Sequence, residues 1–385
     1  MNTREVVASA CFIVAGSAAG AAGAQVVYER APYKLTIEGF ANLTGAYNAD
    51  EDNVLDSDEA DGHAFAEARF LGLAKTPYGF SFGPRITLRT STEDAFDLGE
   101  RSAIVTGKWG RIEIGNRRGL PDILTGYGPN AYQFVSAEFG PASGPSLDPD
   151  GGLQTVFLND ALAAEVNRLT GLGVTASFFF DESAKIIYVS PKKHGFLGGL
   201  SYSPDAEEED GDFNSLLQAG LVYEKYWEQN VLRVGGTYAF ADGDGNTLDP
   251  NASEDLHSVS GGASFTYDDD LTVGASFTYN GDTGQERVPG DAFDSDAYGY
   301  AFSVNYNNGP WTVGGFYQSA RSEGATTTTG DDELQAFEVG ASYRFNTKIR
   351  IYSAVYLYDF ENEGGAANVD QFDGYVFMLG TRLTL

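Results

Sequence analysis

This chain of 385 residues has one cysteine, Cys11, three histidines and no run of about 20 apolar residues. A single cysteine excludes an internal disulfide. The missing apolar run excludes a helical membrane span. Basic residues are scarce as well, 24 Lys and Arg against 55 Asp and Glu, and a net charge of -31 excludes nucleic acid as a natural partner, since phosphate backbones need basic patches. His63, His194 and His257 are spread over separate predicted turns and strand ends, where no two can share a metal or serve a nucleophile. A lipase or protease with a His-served nucleophile is therefore disfavoured, and the chain reads as a non-enzyme with no cofactor.

Cys11 lies in a segment with Arg4 near the start, an Ala-rich apolar stretch over residues 6–19 and small residues at Ala22, Gly23 and Ala24. That is the layout of a cleaved signal peptide, residues 1–24, with cleavage before Gln25. A lipidated Cys11 is the alternative, but the apolar run continues past it through Val14. The mature chain, residues 25–385, then has no thiol and reads as one domain.

Stretches of about ten residues fill the rest, alternating apolar and polar. In the clearest, Leu271, Val273, Ala275, Phe277 and Tyr279 take one face, and Thr272, Gly274, Ser276 and Thr278 the other. A strand sends successive side chains to opposite faces, so one face suits lipid and the other water. Sixteen such strands are predicted between residues 33 and 385. In lipid an open sheet edge leaves backbone groups unsatisfied, so the sheet must close on itself. The fold class is therefore all-β, a 16-stranded antiparallel transmembrane β-barrel. Abundant Gly (48), Tyr (22) and Phe (26) fit crowded strand positions and interfacial girdles.

Connections alternate in length. Turn residues crowd short ones such as Asn307-Asn308-Gly309-Pro310, while the alternate ones are long and carry dense acid, as at residues 49–62, 205–212 and 242–249. Bacterial outer-membrane barrels keep short turns periplasmic and long loops outside, so both termini are expected in the periplasm. The loops could hold divalent cations loosely and bridge to lipopolysaccharide phosphates. Asp242, Asp244 and Asn246 are spaced like the start of a calcium loop, but Thr247 stands where its glycine belongs.

One connection, about residues 118–180, is far longer than the rest and includes a possible short helix at 159–169. A structureless loop of that length is unusual. The surface available to pack it is the barrel interior, where it would narrow the channel. Around its entry the same period of two turns Arg85 and Arg89 inward on the third predicted strand, and Arg111, Glu113 and Arg117 on the fifth.

The chain resembles the trimeric general-diffusion porins of Gram-negative outer membranes, whose third loop folds into the lumen. Ala137-Glu138-Phe139-Gly140-Pro141 is similar to the family's motif on that loop, which implies Glu138 as an acidic wall of the constriction. Arg69 and Arg101 match basic positions on the facing wall, and Asp122 near the loop's start is a weaker candidate. Three positions depart from the family: Phe40 replaces a first-strand lysine, Phe134 an aspartate of the loop, and Leu385 the terminal phenylalanine. The resemblance implies a homotrimer in contact with outer-membrane lipid and lipopolysaccharide, passing small hydrophilic solutes and ions. The acidic mouth adds an expected mild cation preference that weakens with salt. Two alternatives stay open: a substrate-specific porin with a solute track of Tyr127, Tyr132, Phe134 and Phe139, and a structural or adhesive barrel with a plugged lumen.

Overall fold

Side-chain alternation builds the wall. In the computed structural model, which describes residues 25–50, 59–91, 97–125, 183–206, 213–242, 255–281, 297–323, 331–361 and 371–385, every strand pairs antiparallel with its neighbours. The strands are β1 (Gln25–Arg30), β2 (Tyr33–Asp50), β3 (Glu59–Lys75), β4 (Ser81–Ser91), β5 (Asp97–Gly107), β6 (Gly110–Asn116), β7 (Ala184–Val189), β8 (Phe196–Ala206) and β9 (Phe213–Trp227). They continue as β10 (Asn230–Asp242), β11 (Leu256–Tyr267), β12 (Leu271–Asn280), β13 (Ala297–Asn308), β14 (Trp311–Glu323), β15 (Asp331–Arg344), β16 (Ile349–Glu361) and β17 (Gln371–Thr384). A single helix among the described residues, α1 (Leu120–Thr125), follows β6.

The sixteen strands β2–β17 form a closed ring, sealed where β17 meets β2 with Phe377 opposite Tyr47. A strand of β2's 18 residues exceeds the 9–11 or so that a tilted strand needs to cross the hydrocarbon layer, so the strands extend beyond it. One segment was not among the predicted strands. β1 pairs with β2 from Gln25 opposite Glu38 to Arg30 opposite Tyr33, along the edge that β17 leaves at Thr384 opposite Phe40. The amide of Leu385 donates to the Gly39 carbonyl at 2.9 Å, so β17 and β1 lie end to end and Gln25 comes beside Leu385. β1 and the carboxy-terminal residues together leave no open edge on β2.

The outer face is apolar. Leu200, Leu221 and Leu379 are each more than half exposed, as a bilayer-facing wall requires and a water-facing one does not tolerate. In β12 the predicted phase holds, with Val273, Phe277 and Tyr279 exposed while Ser276 and Thr278 turn inward. Short turns join β3 to β4, β5 to β6 and so on around one rim. Asp268 and Asp269 adopt the left-handed conformation that tight hairpin connections demand and aspartate tolerates.

Candidate functional site: the charged inner wall

Residues opposite each other in an antiparallel pair share a face. Arg69 on β3 stands opposite Thr87 on β4, and Glu67 opposite Arg89, while the exposed Ile86 between them points out. Arg69, Arg85 and Arg89 therefore all lie on the inner face, as the phase of Arg85 and Arg89 predicts and the resemblance implies for Arg69. What the sequence reading missed is what holds them. Glu67 pairs with Arg69 at 2.5 Å and with Arg89 at 3.0 Å. Glu100 pairs with Arg85 at 3.1 Å and with Arg117, and Glu113 pairs with Arg111 at 3.0 Å and Arg117 at 3.3 Å. Thr87 Oγ1 adds a hydrogen bond to Glu100 at 3.2 Å. Lys185 Nζ on β7 donates to the Arg117 carbonyl at 2.6 Å.

The wall is thus a ladder of alternating sign rather than a bare basic stripe. Five arginines against three carboxylates leave 5 − 3 = +2. Exposure divides the arginines. The side chains of Arg69 and Arg111 are 24% and 32% exposed and can meet a passing solute, whereas Arg89 and Arg117 are buried among their partners.

Arg101 is not part of this wall. It pairs in register with Ile86 on one side and Asn116 on the other, and it is exposed on the outer face. A register shift in the β4–β5 pairing, between Ile86 and Leu88, puts Leu98 outside while Glu100, Ser102 and Ile104 stay inside. At this point of β5 the inward charge is Glu100, so the placement of Arg101 in the lumen is corrected.

α1 packs on the inner face of β7–β9. Leu120, Ile123 and Leu124 form one buried cluster with Ile187, Val189, Leu197 and Val222. The amide of Leu120, a helix-end donor with no partner inside the helix, is satisfied by Gln218 Oε1 at 2.9 Å. Glycines make the room: a Cβ at Gly199 or Gly220 would come within 2.6 Å of Leu120 Cδ1 or 2.3 Å of Leu124 Cδ1. Asp122 sits on α1, and its side chain is outside the described residues, as are Glu138 and the whole of 126–182, including the suspected helix at 159–169.

Phe40, at the position where the resemblance implies a lysine, stacks on Phe65 with ring centroids 5.9 Å apart and carries Arg382 over its ring at 4.4 Å. A cation is present there after all, supplied by β17. The sector β14–β17 is different in kind, with Phe316, Tyr352, Tyr356, Tyr358 and Phe360 buried on the inner face around Glu338. Among the described residues no group of three or more His, Cys, Asp or Glu is placed to hold a metal ion.

A family model described as Gram-negative porin matches residues 8–363. The chain belongs to the Gram-negative porin family. As a porin it is a diffusion channel of the outer membrane, and its closed ring is the family's barrel. No curated relative matches the chain. Solved structures share the fold at low identity. The OmpF of Salmonella typhi, in a complex with daunomycin, is 11% identical with a TM-score of 0.65, covering 93% of this porin and 100% of that chain. An anion-selective porin from Comamonas acidovorans is 14% identical with a TM-score of 0.59, covering 92% and 100%. The trimer form of OmpT, an outer membrane protein of Vibrio cholerae, is 14% identical with a TM-score of 0.57, covering 91% and 99%.

Proposed function

We propose that this porin is a general-diffusion channel for small hydrophilic solutes and ions, acting without chemistry as a homotrimer with both termini periplasmic, and mildly cation-preferring at low salt. The observation that carries the selectivity is the interleaving of Glu67, Glu100 and Glu113 among the arginines. Carboxylates within bonding distance cancel most of the field that five arginines would otherwise project into the lumen. The net charge of -31 then governs the approach of ions from outside. The trimer form of the Vibrio protein supports the assembly, and the anion selectivity of the Comamonas protein is the contrasting case.

Reversal potentials across a salt gradient in planar bilayers test the reading. Cation preference should be present near 0.01 M, where the Debye length is about 30 Å, and fade near 1 M, where it is about 3 Å. Strong anion preference at low salt would overturn the selectivity, and the absence of conductance steps would overturn the open channel.

A further inference from the structure

The rim of short turns has a chemistry of its own. Every lysine of the chain except the buried Lys185 lies there, and so do all three tryptophans, Trp109, Trp227 and Trp311. The densest part is formed by two abutting turns, β5–β6 and β7–β8. β6 pairs with β7, and a Cβ on Gly110 would come within 3.3 Å of Pro191, so the turns form one surface. It presents Lys108, Trp109, Tyr188, Lys193 and His194, all exposed. Tyr188 donates its hydroxyl to the Trp109 carbonyl at 2.9 Å, which ties the two turns together. No acidic residue occurs in residues 104–112 or 184–204. Among the described residues neither Lys108 nor Lys193 has a carboxylate partner, whereas the neighbouring Lys192 is engaged by Glu224.

We propose that this surface docks anionic glycerophospholipid headgroups. The amphipathic Trp109 and Tyr188 rings hold it at the boundary between hydrocarbon and headgroup, where such rings prefer to sit. Two free ammonium groups beside them, with no competing carboxylate, complement a phosphodiester and not a zwitterionic headgroup, whose own cation they repel. The long connections on the other side carry dense acid and no lysine in their sequence, so they would need bridging cations to meet any phosphate. The partner is therefore the lipid leaflet that borders the turns.

Trp109 can report on its own lipid shell. The double variant Trp227→Phe, Trp311→Phe leaves it as the only tryptophan, and bilayer conductance of the same preparation verifies a native channel. The protein is reconstituted into vesicles of phosphatidylcholine with one-fifth phosphatidylglycerol. Bromine is placed on the acyl chains of one lipid or the other, and quenching of Trp109 is compared. Local enrichment of phosphatidylglycerol should be roughly fivefold, the gain from about one surface lysine. It should fall towards parity in K108Q/K193Q and in high salt. Equal quenching by the two brominated lipids, or enrichment unchanged in K108Q/K193Q, would overturn the proposal. If the tryptophan double variant does not fold, native mass spectrometry of the wild type against K108Q/K193Q, each offered both lipids, gives the same decision.

Discussion

Glu100 and Arg101 are neighbours in the chain, yet they occupy opposite faces of the barrel wall, the carboxylate buried inside between Arg85 and Arg117 and the guanidinium exposed outside. R101Q should therefore leave conductance and reversal potential as in wild type. E100Q takes from Arg85 its carboxylate and from Arg117 one of two, the other being Glu113, and breaking a buried pair this way costs about 3–5 kcal/mol. The midpoint of urea unfolding from vesicles should drop, and the reversal potential should move towards anions. A changed reversal potential in R101Q beside an unchanged one in E100Q would show the faces to be assigned wrongly.

Arg69 and Arg89 share Glu67 but differ in what else they meet. Arg69 is open to the lumen and Arg89 is buried. R69Q should shift selectivity towards cations with a stability cost below about 1 kcal/mol, in the range of exposed pairs. R89Q should leave selectivity nearly unchanged and cost about 3 kcal/mol or more, because Glu67 loses its better-buried partner. Paired reversal-potential and unfolding measurements on the two variants check the division, and indistinguishable variants would refute it.

The helix on the inner wall can be tested through its fit. G220V forces a branched side chain into the space of Leu124 Cδ1 and should cost about 1–3 kcal/mol by overpacking. L124A should cost about 2–4 kcal/mol through the cavity it leaves. Because the two side chains compete for one volume, the double variant should be less destabilised than the sum of the two, by about 1 kcal/mol or more. Additive costs would mean that α1 does not press on β9 at this point.

What the sequence made legible follows from its period of two. Alternation in β12 or β17 puts Phe277 or Phe377 outside without knowledge of any neighbour, so the closed ring, its apolar exterior and the inward phase of Arg85 and Arg89 could all be read. Illegible features depend on pairing. The β4–β5 register shift has no signature in residues 97–107 alone, which is why Arg101 looked like a lumen residue on its family match. Glu67 and Glu100 could be read as inward only once their cross-strand arginines were known. β1 was missed because Gln25–Arg30 is short and its partner edge exists only after β17 has stopped. α1 was missed because six residues cannot show a helical period.

Glu338 makes the last prediction. It is fully buried on the inner face of β15, opposite Phe316 and Tyr356, and among the described residues neither carboxylate oxygen has a hydrogen-bond partner. Tyr356 uses its hydroxyl instead to accept from Gln318 Nε2 at 3.3 Å. A buried acid with no counter-charge costs folding free energy whether it stays ionised or takes up a proton. E338Q keeps the shape and removes the ionisable group, so it should raise stability by about 1–3 kcal/mol, against the usual direction for a core substitution. Urea unfolding of E338Q beside wild type at neutral pH measures this. A destabilised E338Q would mean that the carboxylate has a partner in the folded channel after all, and that the aromatic sector of β14–β17 is held together by charge as the arginine wall is.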